Sequence, residues 1–509
     1  MWFEVKDKKE NGEKDLEIEG VIISSTTEKF SIQSPLPSNT KKDPISEKSK
    51  NLSDSGLTHP NEEVHEKRGL FWAISIANSS SQSFVWNFFS AFAALVGVTS
   101  SMMGFLTSIR NLISALFQGN IGRLSDKLGR KKILFGGFFL SSAILITLIF
   151  VSRPITLVIV SIIQAFSISI IFPVWNATLG DVTKTEQRAS YIGKLSAAGT
   201  AVSVTLILLV AGCFYITDEY SGMTILGWEI PAVGWQVQYG VAFAIAAFGF
   251  LLCIIGILFL PETRIIEAGE EPPKMLVALR DKMFRKFLII NSLFGLMMAT
   301  GWPIFPIVQI KVLEMTFPQV ALISATFSIF SSLSMFFGGR IGDAIGRKPL
   351  LIIGRITIFT IPLFFIMAVI FNSWLFLILS NLIGGLSMGL VNVGLNAYVL
   401  DLAPENMMGA YSGLTQVVWG IATFIGSLSA GFIAQAIENA YGLRTMAIAM
   451  LAGVGAVRML SSLGYFFITE SLPKDVREAR KVQRSKAKEE EYIACAYTDS
   501  LEECATQTK

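Results

Sequence analysis

Two stretches decide how this sequence reads: GRLSDKLGRKK at 122–132 and GRIGDAIGRKP at 339–349. They start 217 residues apart, and Gly, Arg, Asp, Gly, Arg and Lys coincide between them. A second pair, NATLGD at 176–181 and NAYVLD at 396–401, repeats at an offset of 220. Two matched loops in matched order point to a duplicated unit.

Working outward from these loops, apolar stretches of roughly 20 residues follow one another, the length a helix needs to cross about 30 Å of hydrocarbon. Twelve can be counted, from 70–95 and 99–120 to 409–434 and 444–468. The expected fold is therefore an all-α integral membrane protein. Twelve transmembrane helices would form two pseudo-symmetric six-helix bundles, 70–263 and 287–472. A charged linker, 264–286, separates them. The tails, 1–69 and 473–509, are polar, and the first is expected to be disordered.

Composition agrees. Hydrophobic types make up 52% and charged types 16% of the 509 residues, against about 25% charged in a soluble domain. That balance excludes a disordered protein, a collagen and a disulfide scaffold, and fits a soluble enzyme poorly. A net charge of +3 gives no reason to expect nucleic acid as a partner. Cys213 and Cys253 lie in apolar runs, Cys495 and Cys504 in the C-terminal tail, and His59 and His65 in the N-terminal tail. None has metal-ligand spacing, so no metal and no cofactor are expected. The start, MWFEVKDKKE, does not read as a signal peptide.

Basic residues set the expected orientation. If the N-terminus is cytoplasmic, the inner loops hold sixteen Lys and Arg, and the outer ones hold Arg153, Lys311 and Arg444. Both termini are then inside, and the chain is a multi-pass protein of the cell membrane.

The doubled G-x-x-x-D-x-x-G-R-K loop, correctly placed among twelve apolar segments, resembles the signature of the major facilitator superfamily. Leu-Pro-Glu-Thr at 260–263, closing the sixth segment, is also similar to that family. The resemblance covers residues 70–472. It implies a transporter, not an enzyme. It further implies that Gly122, Asp126, Gly129 and Arg130 latch the first half against the start of the eleventh helix, near 403–405. Gly339, Asp343, Gly346 and Arg347 would latch the second half against the start of the fifth. Asp181, Arg188 and Asp401 would extend this charge network, with Met408 standing where the first half has Arg188. A simpler reading of the basic residues is topology by charge alone, and of Asp181 and Asp401, solvated helix caps.

By resemblance, helices 1, 4, 7 and 10 line a central cavity. Their polar residues do recur at helical spacing. The candidates for binding are Asn78, Gln82 and Trp86 on the first, and Gln164, Trp175 and Asn176 on the fourth. The seventh adds Asn291, Trp302 and Gln309, and the tenth adds Asn392 and Asn396. The competing reading is hydrogen bonding between helices. Arg110 lies twelve residues before Gly122, about 18 Å along a helix and thus near mid-membrane. An intramembrane charge is a functional candidate, here for an anionic group on the solute. Snorkelling or a bond to a backbone carbonyl is the alternative.

Every Asp and Glu between 70 and 472 falls in a loop or at a segment end, and no histidine is present there. Protons, if they are the coupling ion, must use such end-of-helix acids. The expected activity is alternating-access transport of a small organic solute by a monomer in the bilayer, with export of amphipathic compounds preferred. Uptake of a sugar or organic acid is one alternative, and a non-transporting sensor on the same fold is another.

Overall fold

The structure is a computed structural model. It describes residues 68–183, 185–222, 224–225, 228–229, 232–262, 275–404 and 407–472. Within the helices, the side chains at 118–120, 122–123, 126–127 and 185–190 lie outside the described residues.

Among the described residues, twelve long helical segments follow in chain order. The first six are α1 (Arg68–Leu95), α2 (Ser100–Leu128), α3 (Arg130–Ile149), α4 (Pro154–Asp181), α5 (Thr185–Glu219) and α6 (Trp235–Phe259). The second six are α7 (Lys282–Val312), α8 (Phe317–Ile345), α9 (Arg347–Phe371), α10 (Leu375–Leu402), α11 (Met408–Tyr441) and α12 (Leu443–Phe467). Between α5 and α6, β1 (Thr224–Ile225) pairs antiparallel with β2 (Trp228–Glu229). Ten helices, α3 to α12, are long and apolar enough to cross a membrane. The other two are as long but polar through their middles. Helix α1 carries the run Asn78, Ser79, Ser80, Ser81, Gln82 and Ser83, and α2 carries Ser108, Arg110, Asn111 and Ser114.

Local signals place the helix ends. Thr99 caps α2 by accepting from the Met102 N–H, and Asp281 caps α7 by accepting from Met283 and Phe284. Helix α8 starts on a reciprocal box between Thr316 and Gln319. The α2–α3 and α8–α9 turns are single residues, Gly129 at φ 93° and Gly346 at φ 105°. Only glycine adopts that backbone without strain. Helix α7 is broken: Lys282–Ala299 gives way to a turn with Pro303, then to Ile304–Ile307 and a wide π turn at Val308–Val312.

Two long seams join the halves of the chain, α2 along α11 and α5 along α8. The first is a small-residue seam. A methyl group added to Gly104 would lie 2.6 Å from the Gly431 Cα, and one added to Gly420 would overlap the Ala115 Cβ. Gly104 meets Gly431 at one level and Ala115 meets Gly420 further along, so α2 and α11 run antiparallel. The matched turns at Gly129 and Gly346 therefore emerge at the same end of the molecule. That end carries Arg130, Lys131, Arg347 and Lys348 and is called the basic end below.

Candidate functional site

At the basic end the duplication recurs as geometry. The Glu262 carboxylate, just past α6, accepts from the backbone N–H groups of Arg130 (2.8 Å) and Lys131 (3.4 Å) at the start of α3. Glu470, just past α12, accepts from Arg347 (2.8 Å) and Lys348 (3.2 Å) at the start of α9. Lys131 Nζ donates to the Leu258 carbonyl, and Lys348 Nζ to that of Phe466, both at 2.7 Å. An acid at a helix N-terminus satisfies free N–H groups and the partial positive charge there.

The arginines then reach sideways. Arg130 pairs with Asp181 at 2.7 Å, joining the α2–α3 turn to the end of α4. Arg347 pairs with Asp343 (3.0 Å) and Asp401 (3.4 Å). Each of these pairs stays within one half of the chain. The expected latches from Arg130 to the start of α11 and from Arg347 to the start of α5 fall on Glu405 and on side chains at 185–190, which lie outside the described residues. Among the described residues, the two guanidinium groups meet acids at the ends of α4, α8 and α10. The side chains of Asp126 and Arg188 lie outside the described residues, as does Glu405, and of Gly122 only the helical backbone is described. Gly339 begins the matching stretch inside α8.

The opposite end is shut by contacts between the halves. Phe317, the first residue of α8, stacks on Phe88 of α1 with ring centroids 4.6 Å apart. It also meets Phe214 of α5 and Tyr239 of α6 edge-on, at 5.3 and 5.1 Å. Around this plug, Lys311 Nζ donates to the Val98 carbonyl at 2.8 Å. Ser100 Oγ donates to Glu438 at 2.5 Å, and the Ser101 N–H to Gln435 at 3.4 Å.

Below the plug, in the basic-end half, lies a cavity of about 380 Å³. Asn78, Gln82 and Trp86 line it from α1, and Trp175 and Asn176 from α4, as the sequence predicts. Gln82 donates to Asn78 Oδ1 at 2.8 Å, which ties the two amides together. Trp86 is 72% exposed, so its ring presents a free face. Arg110 does not line the cavity. It stands behind Trp86, with its guanidinium carbon 6.0 Å from that ring and 4.6 Å from the Phe89 ring. The lining also includes residues that sequence reasoning missed: Ser196 and Thr200 of α5, and Phe327 and Ser328 of α8. Ser196 and Thr200 are four apart, a helical spacing that could have flagged them. Phe327 is the repeat mate of Arg110, 217 residues on. Among the described residues the cavity walls are thus hydroxyls, amides, aromatic rings and aliphatic side chains, without a charged side chain.

The remaining candidates fall elsewhere. Asn291 is packed between helices in this state. It is 1% exposed and accepts from Tyr465 (2.8 Å) and Arg355 (3.2 Å), so its carbonyl is committed to packing α7 against α9 and α12. Gln164 is equally buried, and neither of its amide atoms has a hydrogen-bond partner. Trp302 packs against the buried cluster around Phe294 and Tyr465. Gln309 sits in the π turn of α7. Trp302, Gln309, Asn392 and Asn396 are not among the cavity-lining residues.

Sequence reasoning also missed Arg355, which is 1% exposed. Its guanidinium carbon lies 4.3, 5.3 and 5.4 Å from the rings of Phe294, Trp419 and Tyr465. Arg458, as deeply buried, donates to the Met298 carbonyl at 2.6 Å, where α7 breaks. Arg458 reads from the sequence as an intramembrane charge like Arg110, and Arg355 would have been found by treating every such charge in the same way.

Residues 71–301 and 287–498 each match the model of the Major Facilitator Superfamily. The chain belongs to that superfamily. It is accordingly a multi-pass membrane protein of a transporter superfamily. Quinolone resistance protein NorA of Staphylococcus aureus is 27% identical over 151 residues, 29% of this chain and 38% of NorA. The match thus spans well under half of that relative. The MFS-type transporter MJ1317 of Methanocaldococcus jannaschii is 23% identical over 426 residues, 79% of this chain and 98% of MJ1317. Among solved structures, the nucleoside transporter NupG superposes with a TM-score of 0.60 at 13% identity, covering 79% of this chain and 99% of NupG. A bacterial homologue of the human lysosomal transporter Spinster, inward-facing and occupied, gives 0.59 at 14%, covering 81% and 97%. At these identities the structural likeness is one of fold.

Proposed function

We propose that this superfamily member exports a small amphipathic organic solute, neutral or weakly anionic, by alternating access. The carrying observation is the roughly 380 Å³ cavity between α1, α4, α5 and α8, closed above by Phe317 and placed in the basic-end half. In this reading the twelve helices all span the membrane. The two six-helix bundles, 70–263 and 287–472, rock about the α2–α11 and α5–α8 seams. Their small residues let backbones slide at close range.

The excess of Lys and Arg puts the basic end in the cytoplasm of a cell-membrane protein, with both termini inside. The structure is then the inward-open state. When the bundles rock, Phe317 leaves Phe88, and Arg130 and Arg347 become free to meet α11 and α5. Asp126 and Asp343 join that exchange as the cytoplasmic latch. A monomer suffices, because the cavity is formed within one chain.

The lining chooses the solute class. Amides and hydroxyls supply hydrogen bonds, Trp86 and Trp175 supply flat apolar faces, and no side-chain charge must be neutralised. Arg110 polarises the Trp86 face and favours a partial negative charge on the solute. The weak likeness to NorA supports export and suggests a quinolone as the first probe.

The test is efflux of a fluorescent quinolone from proteoliposomes of the full chain, beside a radiolabelled nucleoside. Quinolone flux above protein-free vesicles, lost in Asn78→Ala with Gln82→Ala, supports the proposal. Flux of the nucleoside alone overturns the amphipathic class. Neither flux nor binding of either probe overturns transport through this cavity. Repeating the measurement with an imposed pH gradient decides whether protons drive it.

A further inference from the structure

A second, smaller cavity lies at the end opposite the basic end, outside the solute path. Its volume is about 170 Å³, and Lys311, Val312, Val369, Asn372, Leu443 and Arg444 line it. The outer loops hold three basic residues, Arg153, Lys311 and Arg444. Two of the three converge on this one small space. Like charges gathered without an acid between them repel, and the cost grows at a partly buried, low-dielectric site.

The two cations are held in place by the backbone. Lys311 Nζ donates to the Val98 carbonyl at 2.8 Å, and Arg444 Nη2 to the Val369 carbonyl at 2.9 Å. Carbonyl groups fix these side chains but do not neutralise them, and each keeps unused N–H groups. Glu438 acts electrostatically on Lys311, but its carboxylate accepts from Ser100 at 2.5 Å and does not line the cavity. One acid outside the space acts on Lys311, while two cations stand inside it. Asn372, in a left-handed backbone conformation at φ 49°, adds an amide to the wall.

We propose that this cavity binds a phosphate group carrying net negative charge, as in an anionic phospholipid head. Its surroundings fit a lipid. Ile370, Phe371, Leu375 and Tyr441 stand 53%, 64%, 57% and 72% exposed next to it in sequence, an apolar apron on which acyl chains can lie. Two fixed guanidinium and ammonium groups select a net anion over a zwitterion. Occupancy also bears on the gate, because Lys311 belongs both to this cavity and to the contact with Val98 that ties the halves together. A bound anion holds Lys311 at that position and stabilises the shut outer end.

The experiment uses purified full-length protein in detergent, titrated with phosphatidylglycerol, phosphatidylcholine or inorganic phosphate. Bound lipid is counted by native mass spectrometry, and the unfolding midpoint is recorded. Phosphatidylglycerol should bind about tenfold more tightly than phosphatidylcholine. That preference should vanish in Lys311→Gln with Arg444→Gln. It should vanish as well in Asn372→Asp, which keeps both cations, suits the left-handed backbone and puts a negative charge in the wall. Saturable stabilisation by inorganic phosphate alone, lost in the same variants, supports the site with a free anion as its source. Retention of the lipid preference in Asn372→Asp overturns the proposal. So does the absence of any effect of lipid or phosphate on the wild-type protein. Neither outcome depends on the solute cavity, so the transport reading stands or falls separately.

Discussion

Glu470 stands to Arg347 as Glu262 stands to Arg130: each carboxylate accepts the arginine's backbone N–H at 2.8 Å. The arrangement fixes α9 to the end of α12 and α3 to the end of α6. It makes each basic turn a rigid part of its own half. The arginine side chains are left to pair laterally, with Asp181 in one case and with Asp343 and Asp401 in the other.

The caps predict matched losses. Glu262→Ala and Glu470→Ala should each lower stability by about 1 kcal/mol, the usual worth of a helix N-cap at a solvated site. Thermal unfolding of the two variants in detergent checks this. A loss in one and none in the other would break the equivalence of the turns.

Glycine is required at the turns for a second reason. At Gly129, φ is 93°, and an added methyl group would sit 2.8 Å from the Glu262 carboxylate. Gly129→Ala should therefore cost more than the 1 kcal/mol of a simple left-handed alanine, because the cap is displaced as well. The double variant Gly129→Ala with Glu262→Ala should lose less than the sum of the two singles. Additive losses in a double-mutant cycle would contradict the contact.

Asn78 and Asn291 should behave oppositely. Asn78→Ala removes a cavity amide and should weaken probe binding several-fold while leaving the unfolding midpoint nearly unchanged. Asn291→Ala strips Tyr465 and Arg355 of their acceptor. It should destabilise the protein by about 1–3 kcal/mol with probe affinity preserved in the folded fraction. Titration of a fluorescent quinolone against both variants separates the two roles.

In the proposed reading, Arg110 acts on the cavity through Trp86, 6.0 Å from its guanidinium carbon. Arg110→Gln should weaken probe binding about fivefold, in line with a cation–π contact of about 1 kcal/mol. Quenching of Trp86 fluorescence by a bound probe should change in the same variant. An unchanged affinity and an unchanged Trp86 signal would make Arg110 a packing residue only.

Much of this was legible beforehand because it follows from period and spacing. The doubled loop predicted two turns at one end, and Gly129 and Gly346 stand there. Asn78, Gln82 and Trp86 are four residues apart on one helix face and share one cavity. The cap pair was hidden because Glu262 and Glu470 are 208 residues apart, nine short of the loop offset, so a search at 217 passes over it. Asn291 was ambiguous because an amide in an apolar helix looks the same whether it faces a cavity or a buried cation. Its partners, Arg355 and Tyr465, lie 64 and 174 residues away. The share of α5 and α8 in the cavity was missed since attention went to α7 and α10, which contribute none of its lining in this state.

The central claim is that solute crosses only if the end opposite the basic end, shut in this state, can open. Ser100 of α2 and Glu438 of α11 touch across that end, from opposite halves of the chain. With the native cysteines replaced, Ser100→Cys and Glu438→Cys can be bridged by a short thiol cross-linker in proteoliposomes that move a fluorescent quinolone. Bridging should stop flux, leave probe binding from the basic side intact, and be reversed when a cleavable linker is cut. Undiminished flux through the bridged protein would contradict alternating access about this seam.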